Sequence, residues 1–319
     1  MAMPLVSVII AVKDETTLLQ RCLNSYLVQD YSNIEIIVVN DGSGKETHDI
    51  LEGFIDNEKI QIYHFEDCQG QSAARNFGIS HSSGVYIAIA DADDFAYPKR
   101  ISTQVKIFQN TADLDILGSH FTVDPGFKTW ELFKDDASIR YQLLLNNPMV
   151  HSAVMIRKSA IRNSNLYRSE MDTAEDYDLY ARMRYHWKFR NCKPKLVHYH
   201  IALKDEKAIE KQKNLARKIR EQILNEFIPE AGDEAIALHH AFSELSKGPT
   251  LSELIEHIAI IGQGLNSKDL KKLNKILYTQ IFLYCSKFQQ KPAFAVRLNI
   301  IKKGYGNWIT KAKRIYNWL

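Results

Sequence analysis

Cysteine is scarce: Cys22, Cys68, Cys192 and Cys285 are the only four in 319 residues, widely spaced and without a CxxC pair. This argues against a disulfide framework or a zinc ribbon and predicts reduced thiols in a cytoplasm. No basic-then-apolar leader opens the chain, and no apolar run reaches the ~20 residues of a membrane span. Acidic residues vanish from the end. Leu270–Leu319 holds eleven Lys and Arg but no Asp or Glu, leaving 30 basic and 38 acidic side chains before it. The net charge of +3 therefore hides an acidic body and a basic tail, a split that points to an anionic partner.

Nucleic acid fits poorly as that partner, because no recognised binding motif accompanies the charge. On a helical wheel Trp308, Ile309, Ala312, Ile315, Tyr316 and Leu319 fall within about 120°, while Lys311, Lys313, Arg314 and Asn317 lie outside that arc. A basic amphipathic helix rich in Trp and Tyr predicts docking on an anionic membrane surface, the inner face of the cell membrane for a cytoplasmic or peripheral protein. The alternative is a helix packed on the protein itself.

What is present is an alternation of strands and helices. Val6–Val12 reads as a strand buried on both faces, and Ile34–Val39, Ile60–Phe65 and the run VYIAIA (85–90) as the second, third and fourth strands. Leu18, Leu19, Cys22, Leu23, Tyr26 and Leu27 mark one helix face, and a second helix is expected from Gln71 to His81. This order predicts an α/β fold, Rossmann-like, with a mostly parallel sheet and flanking helices. A boundary is expected between Leu203 and Lys211, giving a catalytic domain over 1–205 and an all-helical region over 206–319. Open α/β sheets bind ligands at the carboxyl ends of their strands. There the pattern gathers Lys13 and Asp14, the run NDGSG (40–44), and the acids of DADD, Asp91, Asp93 and Asp94. Three carboxylates in four residues repel one another unless a cation sits among them; a solvated turn or helix cap is the alternative.

The ordered set VSVIIAVKDE, IIVVNDGS, GQSAARNFGI, GVYIAIADADD and AEDYDLYARM resembles the family 2 glycosyltransferases, which have the GT-A fold. The likeness spans about Leu5 to Ile201. YIAIADADDFAYP, NPMVHSAVMIRKSAI and AEDYDLY look most like bacterial lipooligosaccharide enzymes of the β-1,3-N-acetylglucosaminyltransferase type. The resemblance implies an inverting, metal-dependent transfer of N-acetylglucosamine or a related sugar. The donor would be a UDP-sugar, and the acceptor a hydroxyl of a glycan, lipid-linked or lipooligosaccharide. It assigns Asp93 to Mn²⁺ or Mg²⁺, and Ala11, Lys13, Glu15, Asp41, Arg75, Asp91 and Ala92 to the donor. Asp176 becomes the base, and Asn147, His151, Glu175 and His200 line the acceptor and sugar pocket. A homo-oligomer stays open.

Each assignment has a simpler counterpart: an Asx turn for Asp41, a surface helix arginine for Arg75, helix-dipole stabilisation for Glu175 and Asp176. The chain also departs from the family pattern. Ala11 and Lys13 stand where a proline and an aromatic are usual, which removes a stacking partner for the base. In the stretch YHIA, His200 occupies the usual arginine position and Ala202 the usual histidine position, so either His198 or His200 substitutes for that histidine or nothing does. A sugar nucleotidyltransferase is the alternative enzyme, but AVKDETT lacks the glycine-rich phosphate loop that chemistry normally needs. A non-catalytic carbohydrate-binding module is disfavoured by the intact Asp41, Asp93 and Asp176.

Overall fold

The computed structural model describes residues 3–280, apart from 124–127, 131, 133, 162–165, 203–204, 247–248, 264, 267–268, 275 and 278–279. The expected tail helix, Trp308 to Leu319, lies outside the described residues. The chain forms two compact units, one of 1–139 and 147–212, the other of 140–146 and the described residues from 213 onward. The division expected at 205/206 from sequence thus compares with 212/213 from packing, together with a short segment contributed by 140–146.

The first unit is built on one mixed sheet. Its strands are β1 (Val6–Val12), β2 (Ile34–Asp41), β3 (Ile60–Phe65), β4 (Tyr86–Asp91), β5 (Phe95–Ala96), β6 (Ile116–Val123), β7 (Lys128–Trp130), β8 (Met155–Arg157) and β9 (Phe189–Tyr199). They are ordered β3-β2-β1-β4-β8-β6-β9-β5, with β7 against β6. The pairs β1–β2, β1–β4, β2–β3 and β6–β9 are parallel, and the shorter β4–β8, β6–β8, β6–β7 and β5–β9 pairings are antiparallel. The chain winds outward from β1 to β3, then crosses back to β4. That reversal opens a crevice at the carboxyl ends of β1 and β4.

Helices α1 (Leu19–Leu27), α2 (Lys45–Glu52), α3 (Gln71–His81) and α4 (Arg100–Gln109) follow β1, β2, β3 and β5; α5 (Asp136–Gln142), α6 (Lys158–Ile161) and α7 (Glu175–Met183) come later. Both faces of β1 are buried. Val6, Val8, Ile10 and Val12 join Leu19, Cys22, Leu23 and Tyr26 in the larger core cluster. Ile9 faces the other way, where a Cβ on Gly78 of α3 would come within 2.8 Å of its Cγ2, so the helix can lie this close only with glycine. Burial on both faces is why the strand reads as one apolar run rather than an alternating one. Deep in this core, Arg100 donates to the carbonyls of Ile89 (2.8 Å) and Val154 (3.1 Å) and to the Tyr26 hydroxyl, satisfying a charge among apolar neighbours.

The second unit is helical among the described residues. Helix α8 (Glu206–Phe227) begins in the first unit and ends in the second, followed by α9 (Asp233–Ser243) and α10 (Leu251–Ile261). Leu215, Ile219, Ile223, Phe242, Leu254 and Ile258 are buried. Glu244 accepts from Arg217 at 2.7 and 2.8 Å and from Arg220 at 2.5 Å. No helix among the described residues is long and apolar enough to cross a membrane.

Candidate active site

The loops after β1 and β2 are stitched together. Asp14, at φ +50°, donates its N–H to Ser43 Oγ (3.0 Å) and accepts at Oδ1 from Gly44 N–H (2.8 Å). Lys13 Nζ donates to the Gly42 carbonyl and lies 3.3 Å from Asp14. Gly42 sits at φ +64°, where an added Cβ would be 2.6 Å from Cys68 N, so the turn requires glycine. Glu15 accepts from the N–H groups of Thr17 (2.8 Å) and Leu18 (2.7 Å), closing the approach to α1.

Asp41, buried at the end of β2, is not the Asx-turn residue of its own loop. That role belongs to Asn40, whose Oδ1 accepts from Ser43 N–H at 3.1 Å. Asp41 instead reaches the 68–70 turn: Oδ1 accepts from Gln69 N–H (2.7 Å), and Oδ2 from Gly70 N–H (2.9 Å) and the Cys68 thiol (3.2 Å). It fixes the entrance to α3.

Arg75 is buried rather than on the helix surface. Its Nη2 donates to Asp91 Oδ1 (2.7 Å) and its Nη1 to Glu175 Oε1, while Tyr167 presents its ring 5.8 Å from the guanidinium carbon. Burial disfavours its charge, and Asp91 and Glu175 outweigh that and hold its pKa above the ordinary value. Gln71 Nε2 adds a bond to Glu175 at 3.0 Å. One arginine therefore joins the end of β4 to the start of α7, across a hundred residues of sequence.

The three acids of DADD take different partners. Asp91 belongs to Arg75. Asp94 is buried, accepting from the Ser152 hydroxyl and from the His200 N–H (2.6 Å); burial and then Asp91 raise its pKa well above the usual range. Asp93 forms no ion pair among the described residues. Burial and the neighbouring Asp91 push it up to about 6, with His200 opposing. Ala11 lies opposite Asp91 in the β1–β4 register, and Ala92 is buried between the acids.

Asp176 stands in the first turn of α7. Its Oδ2 accepts from Asn147 Nδ2 (2.7 Å) and its Oδ1 from Tyr177 N–H (2.6 Å). Burial and then the adjacent Glu175 push its carboxyl up to about 7. A carboxyl near that value is poised to accept a proton at neutral pH. Asp178, two residues on in the same turn, is held by Arg168 and Arg182 and secures the helix.

The expected histidines separate. His151 is buried, its Nδ1 2.7 Å from the Tyr180 hydroxyl, and burial followed by Arg75 and Arg100 depresses its pKa well below the ordinary range. The Tyr167 ring packs edge-on against it, centroids 5.4 Å apart. His198 is buried too, stacked 4.7 Å from Phe95 and bonded to Thr122 at 3.0 Å. His200 is the one that keeps partial exposure, its backbone N–H bonded to Asp94.

Sequence reasoning missed Ser152, Gln71, Cys68 and Tyr167. Ser152 and Gln71 lie inside the quoted motifs, but nothing in their residue type or spacing distinguishes them. Cys68 and Tyr167 lie outside all of the motifs.

A sheet of this strand order, carrying acids at its switch point, defines the GT-A class of fold. The profile described as glycosyl transferase family 2 matches residues 7–170. An uncharacterized glycosyltransferase of Methanocaldococcus jannaschii is 30% identical over 221 residues, covering 66% of this chain and 76% of that protein. The chain belongs to glycosyltransferase family 2. An uncharacterized glycosyltransferase of Rickettsia felis is also 30% identical, over 191 residues, where the match covers 56% of this chain but only 31% of the longer relative. Among solved structures, S. aureus TarS 1-349 in complex with UDP-GlcNAc aligns with a TM-score of 0.59 at 16% identity, covering 89% of this chain and 88% of that one. The mannosyltransferase PcManGT from Pyrobaculum calidifontis, in complex with GDP-Man and Mn²⁺, aligns at 0.51 and 14%, covering 98% and 85%.

Proposed function

We propose that the chain transfers a sugar from a UDP-sugar to an acceptor hydroxyl with inversion at the anomeric carbon, Asp176 serving as the base. The carrying observation is that carboxyl, pushed up to about 7 and held by Asn147 in the first turn of α7. The acceptor O–H gives its proton to Asp176 as its oxygen bonds the anomeric carbon and the bond to the diphosphate breaks on the opposite face. Glu175, locked by Arg75 and Gln71, orients the sugar or acceptor beside it.

The DADD edge suits a hard divalent ion. Asp93 lacks a cationic partner among the described residues, its neighbours raise its pKa, and Mg²⁺ and Mn²⁺ prefer oxygen donors. Asp93 would hold the ion directly, with Asp91 and His200 beside it. Bound there, the ion would stabilise the charge growing on the diphosphate. Asp94 aligns this edge by tying β8's approach, at Ser152, to the end of β9, at His200. Lys13 and the stitched loops after β1 and β2 line the donor side, and Asp41 holds the 68–70 turn there.

N-acetylglucosamine is the proposed sugar, with galactose or glucose behind it; the TarS complex with UDP-GlcNAc supports it through shared fold. The GDP-Man complex of the mannosyltransferase neighbour supports GDP-mannose as the second reading. The acceptor is proposed to be a lipid-linked surface glycan. A thermal-shift panel of UDP-, GDP-, CMP- and dTDP-sugars, with and without Mn²⁺, tests the donor. Stabilisation by UDP-sugars that grows with Mn²⁺ is expected. A shift with GDP-mannose alone would overturn the uracil assignment.

A further inference from the structure

A second set of donor atoms lies on the β2–β3 side of the sheet, and the proposed reaction does not use it. His48 and Glu52 stand one helical turn apart on α2, and His64 is the penultimate residue of β3. One donor atom of each lies within 4.8 Å of the other two. The His48 and His64 rings are stacked, centroids 4.4 Å apart at 26°, and His48 Nδ1 is 3.8 Å from Glu52 Oε1.

We propose that His48, Glu52 and His64 form a binding site for a zinc-class divalent ion, distinct from the carboxylates of the DADD edge. Two imidazoles and one carboxylate are a borderline-soft donor set, which favours Zn²⁺, Co²⁺ or Ni²⁺ over Mg²⁺ and Mn²⁺. Donors around a tetrahedral ion at ~2.1 Å lie about 3.4 Å apart, so no pair has to draw in by more than about 1.4 Å. The His48 and Glu52 side chains are 47% and 48% exposed, free enough to turn while a helix and a strand hold their backbones. Three protein donors leave a fourth position open to water or another ligand.

The site also touches the donor side of the crevice. His64 Nδ1 lies 3.0 Å from Asn40 Nδ2, and Asn40 Oδ1 accepts the Ser43 N–H that shapes the loop after β2. In the first of these bonds Asn40 Nδ2 donates and His64 Nδ1 accepts; ligation through Nε2 would move the ring proton to Nδ1, so an ion here would break the bond and reorganise the Asn40–Gly44 turn. That turn is tied through Ser43 and Gly44 to Asp14.

The test uses the untagged 319-residue chain carrying Asp93→Asn, which disables the other candidate ion site, stripped with EDTA and titrated with Co²⁺ and Zn²⁺. One equivalent of Co²⁺ is expected, with visible d–d bands of a four- or five-coordinate ion, displaced by Zn²⁺ but not by excess Mg²⁺. In the same background His48→Ala and His64→Ala, both at exposed positions, should each weaken Zn²⁺ binding by ~100-fold or more, since even outer partners of a metal site change affinity by 10–100-fold. No binding by the Asp93→Asn chain, or binding that both alanine variants retain within tenfold, would overturn the proposal.

Discussion

Replacing Asp176 by Asn should make the protein more stable at alkaline pH while disabling it. The Asp176 carboxyl is raised from 3.8 to about 7, first by burial and then by Glu175. A carboxyl raised on folding binds its proton more tightly in the folded chain than in the unfolded one. Between about pH 4 and pH 7 the folded state therefore holds more protons, and stability falls as pH rises through that window. Below it no cost is present; above it the whole cost is. Three pH units correspond to at most about 4 kcal/mol, and the partial exposure of Asp176 screens this to roughly 2 kcal/mol. For a unit of about 200 residues that amounts to a rise in Tm of about 4–8 °C. Asn keeps the shape, and its single acceptor oxygen retains the bond from Asn147 at the expense of the one from Tyr177 N–H. Melting curves at pH 8.5 and pH 5, without donor or divalent ion, should show the larger gap at pH 8.5, and kcat should fall by ~10²-fold or more. A variant no more stable than the parent at pH 8.5 would refute the claim that an ionised Asp176 is held there at a cost.

Asp93→Asn should remove Mn²⁺-dependent transfer while leaving the circular dichroism spectrum unchanged; undiminished turnover at saturating Mn²⁺ would sink the assignment. Arg75→Met leaves Asp91 and Glu175 partly or fully buried without their cation, which should cost about 3–5 kcal/mol in urea denaturation. A loss below about 1 kcal/mol would show that the bridge contributes little. Deleting Gly304–Leu319 should weaken co-sedimentation with anionic liposomes at low salt while sparing transfer to a soluble acceptor. Equal sedimentation of both forms would reject membrane docking by that segment.

The sequence by itself determined the elements and their chemistry. Largely apolar runs marked β1, β2 and β4, because strands buried on both faces have little polar face to show, whereas β3, IQIYHF, alternates and is buried only at Ile60. Polar clusters at the ends of β1, β2 and β4 pointed to the carboxyl edge, because parallel strands bring their ends together whatever the loops contain. What only the tertiary structure decided is which acid meets which partner. Asp91, Asp93 and Asp94 are near neighbours in the chain, yet one is claimed by Arg75, one by Ser152 and His200, and one by neither. Likewise Asp41 bonds the 68–70 turn rather than its own loop, and His151 and His198 are buried where His200 is partly exposed. These outcomes rest on pairings across tens of residues, such as Arg75 with Glu175. Local pattern carries no record of them, since each partner's choice depends on where the other elements pack.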